Sequence, residues 1–298
     1  MELLKFLESI RMPFADTLFG GITILGEETF AIIVFCAMYW CIHKRAAYKL
    51  GVAYFVSGLA VQGMKICFRI ERPWIIHQTL TPVPAALEQA TGYSFPSGHT
   101  QSAAAVFASI GIQLKQKSLK IICFIVILLV AFSRLYLGVH TLLDVAASII
   151  ISLLLVLIAA KVLDNGPVNK NRELATALVI VLIALAAVTI AAILLSGGKT
   201  AENYMTDCLK AAGAGIGFAV GTYIERVYVD FSVRSKNILL QIVKFILGIA
   251  GVLVFKEGLK LIIGTGFAVD TIRYFLVLAW ITVLYPMIIK KAFQTKER

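Results

Sequence analysis

The sequence predicts an all-α, polytopic membrane bundle, and three observations predict it. Hydrophobic residues make up 59% of the 298 residues and the mean hydropathy is +0.88, well outside the range of soluble domains. Several apolar stretches approach the ~20 residues that a helix needs to cross a bilayer. The net charge of +11 comes largely from short loops between those stretches. That is the pattern of membrane topology, not of a nucleic-acid-binding surface, so no nucleic-acid partner is expected.

Taken in order, residues 1–25 mix charges with apolar positions and lack a small-residue cleavage site. They read as an amphipathic interfacial segment and not as a cleavable signal. About nine spans follow, near 28–42, 46–68, 98–114, 120–138, 141–160, 173–195, 206–224, 238–262 and 272–290, the first short enough that a start near Leu18 is also open. The turn-forming run Asp164-Asn165-Gly166-Pro167 divides a core, 1–165, from a C-terminal bundle of four helices, 166–298. In that bundle Gly213, Gly217 and Gly221 share one helix face. Such a face allows close packing, either within the chain or as the seam of a homodimer. The five cysteines show no paired spacing, so neither a disulfide framework nor a metal site is implied.

Of the 28 lysines and arginines, 16 fall in one alternating set of loops, from Lys44, Arg45 and Lys49 to Lys290, Lys291, Lys296 and Arg298. The positive-inside rule makes those loops, and the C-terminus, cytoplasmic in a multi-pass protein of the cell membrane. Three polar clusters then fall together at the extracytoplasmic face. Clustered charge near a bilayer usually marks a functional site.

The first cluster is KICFRIERP. Lys65, Arg69 and Arg72 are spaced by four and three, one face of a helix, and three like charges there call for an anion. The second is FPSGHTQS, Phe95 to Ser102. Pro96 suits a helix start, and the backbone donors of Ser97, Gly98 and His99 with the helix dipole would form an anion site. The third is SRLYLGVHTLLD, Ser133 to Asp144. There His140 and Asp144 are four apart, so that the carboxylate could orient the imidazole, while Arg134 offers a planar cation suited to phosphate. Each cluster alone also reads as satisfied polar groups at helix ends. Trp74, Tyr93 and Phe95 flank them and fit a lipid entrance and an aromatic belt equally well. Glu27 and Glu28 read as interfacial or helix-start carboxylates. No acidic or His/Cys cluster suggests a metal, and no cofactor is expected.

Together these residues carry a resemblance. Lys65, Arg72 and Pro73; Pro96 to His99; and Ser133, Arg134, His140 and Asp144 resemble, in order and without substitution, the three signature motifs of the type 2 phosphatidic-acid phosphatase family. The LGEE segment, Leu25 to Glu28, is similar to the sphingosine-phosphate phosphatase and dolichyl-diphosphatase branches. The resemblance covers roughly residues 20–160 and leaves the last four spans without a counterpart. It implies a hydrolase of a lipid phosphate or prenyl diphosphate with no metal. His140 would form a phosphohistidine with Asp144 holding its tautomer. His99 would be the acid, and Lys65, Arg72, Ser97, Gly98 and Arg134 would bind phosphate. Arg69 is expected behind them, facing the same site. Two other readings stay open: a lipid phosphotransferase using the same intermediate, and a transporter or scaffold working through the C-terminal bundle.

Overall fold

The computed structural model describes residues 1–163, 166–235, 237–264 and 266–293. The expected turn at Asp164 and Asn165, and the basic positions Lys236, Lys296 and Arg298, lie outside the described residues. Among the described residues the chain is helical with no strand. Two helices lead in, α1 (Glu2–Ser9) and α2 (Pro13–Thr23). α1 is amphipathic, burying Leu4 and Leu7. α2 falls within the residues read as interfacial and packs on α7 (Lys117–Tyr136). Pro13–Gly26 and Glu28–Ile42, the latter containing α3 (Glu28–Ala37), form a pair bent by 49° that together is long and apolar enough for one span. Glu27 caps α3 at the bend.

The core continues with α4 (Lys44–Phe68), the short α5 (Pro73–Ile76), α6 (Gly98–Gln113), α7 (Lys117–Tyr136) and α8 (Leu142–Val162). Short connections make α6, α7 and α8 run alternately up and down. The end of α4, the start of α6, the end of α7 and the start of α8 therefore meet at one end of the bundle. The basic loops around Lys44, Lys117 and Lys161 fall at the other.

The C-terminal part comprises α9 (Lys170–Ser196), α10 (Glu202–Ile224), α11 (Ile238–Leu253), α12 (Leu259–Ile263), α13 (Phe267–Ala279) and α14 (Tyr285–Phe293). α10 packs on α4, α9 and α13, so it is sheathed by helices on several sides. A Cβ added at Gly213 or Gly217 would fall 2.1 or 2.5 Å from the carbonyl oxygens of Thr271 and Phe275, and one at Gly221 would strike the Thr282 hydroxyl at 1.9 Å. The glycine face is thus filled by α13 and the turn after it, within one chain. It is not open as the seam of a homodimer. At the end away from the clusters, Lys44 binds Glu225 at 3.0 Å and Asp230 at 2.7 Å. Nearby, Arg226 grips Glu173 through two bonds of 2.8 and 2.9 Å and stacks on Tyr48 of α4. These charges tie the C-terminal helices to one another and to the core.

Six helical stretches among the described residues are long and apolar enough to cross a membrane, or seven with the bent pair. The count of nine is not reached by this measure, for two physical reasons. α6 has 16 residues, about 24 Å, and is enclosed by α4, α7 and α8. α10 carries Glu202, Asp207 and Lys210 in its first turns. Both are shielded from lipid by neighbours, so neither needs a fully apolar surface.

Candidate active site

Each cluster is positioned by local chain chemistry. Lys65 lies in the last turn of α4, 5% exposed, and its ammonium donates to the Tyr93 carbonyl. The helix stops at Phe68, and Arg69 caps it in the left-handed conformation at φ 52°. The regular helical spacing that placed Arg69 beside Lys65 therefore does not hold. The exposed Arg69 guanidinium instead donates to the Lys199 carbonyl at 3.2 Å, away from the site. Arg72 enters the site from outside α4, as the residue that precedes Pro73 and α5.

The Arg72 side chain is 3% exposed, and each of its three nitrogens has a partner. Nε donates to Gly92 O at 3.0 Å, Nη2 to Thr91 O, and Nη1 to Val139 O at 3.1 Å. Nη1 also lies 2.9 Å from His140 Nε2. Arginine has no acceptor, so Nε2 receives that bond and carries the lone pair. The ring proton then resides on Nδ1, which lies 3.4 Å from Asp144 Oδ2 without a formed hydrogen bond. This assigns a tautomer with the lone pair on Nε2.

His140 and Asp144 are not on one helical turn as expected. α8 begins at Leu142, and His140 precedes its N-cap, Thr141. A capping box brings the two together: the Thr141 hydroxyl accepts from Asp144 N–H, and Thr141 N–H donates to Asp144 Oδ2 at 2.7 Å. The Ser94 hydroxyl donates to the same oxygen at 2.6 Å. The sequence T-x-x-D, with aspartate in place of the usual Glu/Gln, carries a capping-box signal, whereas Ser94 has no readable one.

Pro96 is not the first residue of α6. Ser97 is its N-cap, with its hydroxyl accepting from Thr100 N–H. The Ser97 N–H is not a free donor either, because it donates to the Asp144 carbonyl at 3.1 Å. The helix-start anion site thus reduces to the positions of Gly98 and His99. A Cβ added at Gly98 meets nothing within 4 Å, so its backbone is open to a ligand. Arg134 is fully buried; its Nη1 donates to Thr23 Oγ1 at 2.9 Å, whereas Nε and Nη2 have no partner among the described residues. His99 Nε2 is likewise buried without a partner. Unsatisfied buried donors are costly, which is expected where an anion completes the site.

His140 lies between the spans α7 and α8, and its pKa is held well below the usual histidine value. Burial is the largest cause, followed by the cations Arg72, Lys65 and Arg134. Lys65, Arg72, Gly98, His99 and His140 all line one cavity of about 330 Å³, together with Glu27 and Glu28 from the bend, and Asp207 and Lys210 from α10. The Asp207 carboxylate accepts from the Thr91 hydroxyl at 2.5 Å. Arg134, Ser97 and Asp144 stand behind this wall. Trp74, Tyr93 and Phe95 are not on it; Tyr93 is buried and stacks on Tyr204 of α10 at 4.2 Å. Among the described residues no group of three His, Cys, Asp or Glu side chains is arranged to hold a metal.

The PAP2 superfamily profile matches residues 46–167, which carry every one of these polar clusters. Phosphatidylglycerophosphatase B of Bacillus subtilis (strain 168) is 30% identical over 159 residues, 49% of this chain and 74% of that protein. The chain belongs to the PAP2 superfamily. A second profile, the transmembrane extension of PAP2 superfamily phosphatases, matches residues 209–297 of this PAP2 protein. The crystal structure of Aquifex aeolicus LpxE is 25% identical, covering 54% of this chain and 93% of that chain, with a TM-score of 0.46. This PAP2 chain is a multi-pass membrane protein and a lipid-phosphate hydrolase.

Proposed function

We propose that this PAP2 protein removes a terminal phosphate from a membrane lipid through a phosphohistidine on His140, at the extracytoplasmic face. The observation that carries the reading is the arrangement about His140. Its Nε2 stands at the cavity wall with its lone pair accepting from Arg72 Nη1, its Nδ1 lies on the side of Asp144, and a second histidine with an unpartnered ring nitrogen stands at the start of α6. As the phosphoryl oxygens take over the Arg72 Nη1 donor, Nε2 is released and attacks phosphorus while the bond from phosphorus to the lipid oxygen breaks. His99, protonated once the substrate's negative charge is in place, gives its proton to that leaving oxygen. Lys65, Arg72, Arg134 and the Gly98 backbone stabilise charge on the remaining phosphoryl oxygens. Water then attacks the phosphohistidine, gives a proton to His99 and frees inorganic phosphate. Neither step needs a metal. The extracytoplasmic assignment is supported by the basic loops, which lie at the opposite end of the bundle from His140.

The substrate class is a lipid with a phosphate monoester or diphosphate. Phosphatidylglycerol phosphate stands first among candidates because of the name of the Bacillus relative. Phosphate release from the purified protein is measured across phosphatidylglycerol phosphate, phosphatidate, a prenyl diphosphate and a sphingoid phosphate. A denaturing alkaline quench during turnover should trap a phosphoprotein that is stable in base and labile in acid. His140→Ala abolishes both turnover and trapping, and His99→Ala nearly abolishes turnover, with both proteins folded. Full turnover in either variant would refute the assignment. Transfer to an added acceptor lipid in place of phosphate release would identify a phosphotransferase.

A further inference from the structure

The cavity does not end at the phosphate-binding groups. It runs along α4 from Lys65 to Leu50, 15 residues and about 22 Å of helix. Its α4 wall is one stripe at helical spacing: Gly51, Tyr54, Gly58, Gln62 and Lys65. Opposite that stripe stand Ala31 and Phe35 of α3, Ala211 and Ala214 of α10, and Leu278 of α13. Half of this wall therefore belongs to the C-terminal extension, which nothing above places in the reaction.

The slot changes character with depth. Its mouth carries Asp207 and Lys210 beside Lys65 and Arg72. At the exposed α3 side, the Glu28 carboxylate pairs with Lys256 at 3.2 Å. Below Gly58 the lining turns predominantly apolar, with small residues on α4 and α10 holding the space open. The slot closes where Gly51 lets two rings approach the α4 backbone. A Cβ there would fall 2.4 Å from Phe218 and 2.9 Å from Phe35. The two rings meet edge-on at 5.9 Å, forming an aromatic floor.

Resting on the reading of this protein as a lipid phosphatase, we propose that the extension builds a binding slot for one hydrocarbon chain of the substrate, with the Phe35–Phe218 floor limiting chain length. Three observations favour that occupant. The slot is continuous with the groups that face phosphate, so a phosphate held there keeps its own chain at high local concentration. The lining runs from charged to apolar in the same direction as a lipid phosphate. A volume of about 330 Å³ is at the low end of ligand sites, room for one chain and not two. In a two-chain lipid the second chain remains in the bilayer.

The test uses the purified full chain and a homologous series of short- and long-chain lipid phosphates in mixed micelles. Gly58→Leu places a side chain across the slot. It is compatible with folding, because a Cβ at Gly58 finds only ordinary contact with Gln101 at 3.7 Å and leucine favours helix. Ala211→Leu narrows the slot from the extension side. Either variant should lower kcat/KM for long-chain substrates by about tenfold or more, and leave the shortest-chain substrate within about twofold. Phe35→Leu should move the preference toward longer chains. Equal loss on short and long chains in folded variants, or no change on either, would overturn the slot. A parent protein inactive on every lipid phosphate would instead defeat the hydrolase reading, an outcome distinct from a flat chain-length response.

Discussion

Asp144→Asn separates the two jobs that the structure gives one carboxylate. Asp144 Oδ2 accepts from Thr141 N–H at 2.7 Å and from the Ser94 hydroxyl at 2.6 Å, which is a structural role at the start of α8. The same oxygen faces His140 Nδ1 at 3.4 Å, which is the role proposed in the reaction. An asparagine keeps one oxygen for the capping bonds, so loss of stability stays near 1 kcal/mol, the usual scale of a helix cap. What it loses is negative charge beside the imidazole. Nδ1–H gains positive character as Nε2 bonds to phosphorus, so the lost interaction matters most in the transition state. A hydrogen bond to a charged group contributes about 1.5–3 kcal/mol, which converts to a fall in kcat of about 10- to 150-fold. The assay is steady-state phosphate release with thermal unfolding measured on the same preparation. Ser94→Ala is the control, since it removes one capping partner and keeps the charge; it should lower Tm with a smaller effect on kcat. If Asp144→Asn keeps kcat within about twofold while Tm falls, the carboxylate is a helix cap alone and the orienting role is wrong.

Further expectations follow from the same geometry. Glu173→Gln keeps one acceptor but leaves the buried Arg226 charge without a counter-charge, and loss of a buried ion-pair partner costs up to about 3–5 kcal/mol in a soluble interior; thermal stability in detergent should drop clearly, with kcat of the surviving folded fraction unchanged. The pKa of His140 is depressed by burial and neighbouring cations. The acid limb of kcat/KM, corrected for ionisation of the substrate, should therefore lie below about 6.5. The depressed pKa also means that the unfolded chain binds more protons, so this residue's contribution to stability is complete above about 6.5 and is lost as pH falls below it. An acid limb at or above that value would contradict the environment described for His140. For sidedness, single cysteines at the exposed positions Thr81 and Gln116, in a background lacking the native cysteines, should respond oppositely to an impermeant maleimide in intact cells. Labelling at Thr81 and protection at Gln116 is expected; the reverse pattern places the site in the cytoplasm.

Composition and motif order determined much of this protein by themselves. A helical membrane protein follows from hydropathy alone, because a chain this apolar has to satisfy its backbone hydrogen bonds internally. Lys65, Arg72, His99 and His140 were also legible, since charged residues in apolar runs stand out, and they all reach one cavity. What the sequence did not reveal depends on where helices stop. Helical spacing put Arg69 beside Lys65, but a left-handed cap one residue past α4 turned it outward. The same logic put His140 and Asp144 on one turn, whereas a capping box just outside α8 joins them. Tertiary structure alone placed the partners that come from distant segments, because spacing along the chain carries no information about contacts across it. Thr23 reaches Arg134 through the bend before α3, the carbonyls of Thr91 and Gly92 hold Arg72, and Ser94 holds Asp144. The extension's part is of the same kind. Its glycines signalled close packing, but only their contact with α13 leaves α10 free to turn Asp207, Lys210 and Ala211 into the cavity that begins at His140.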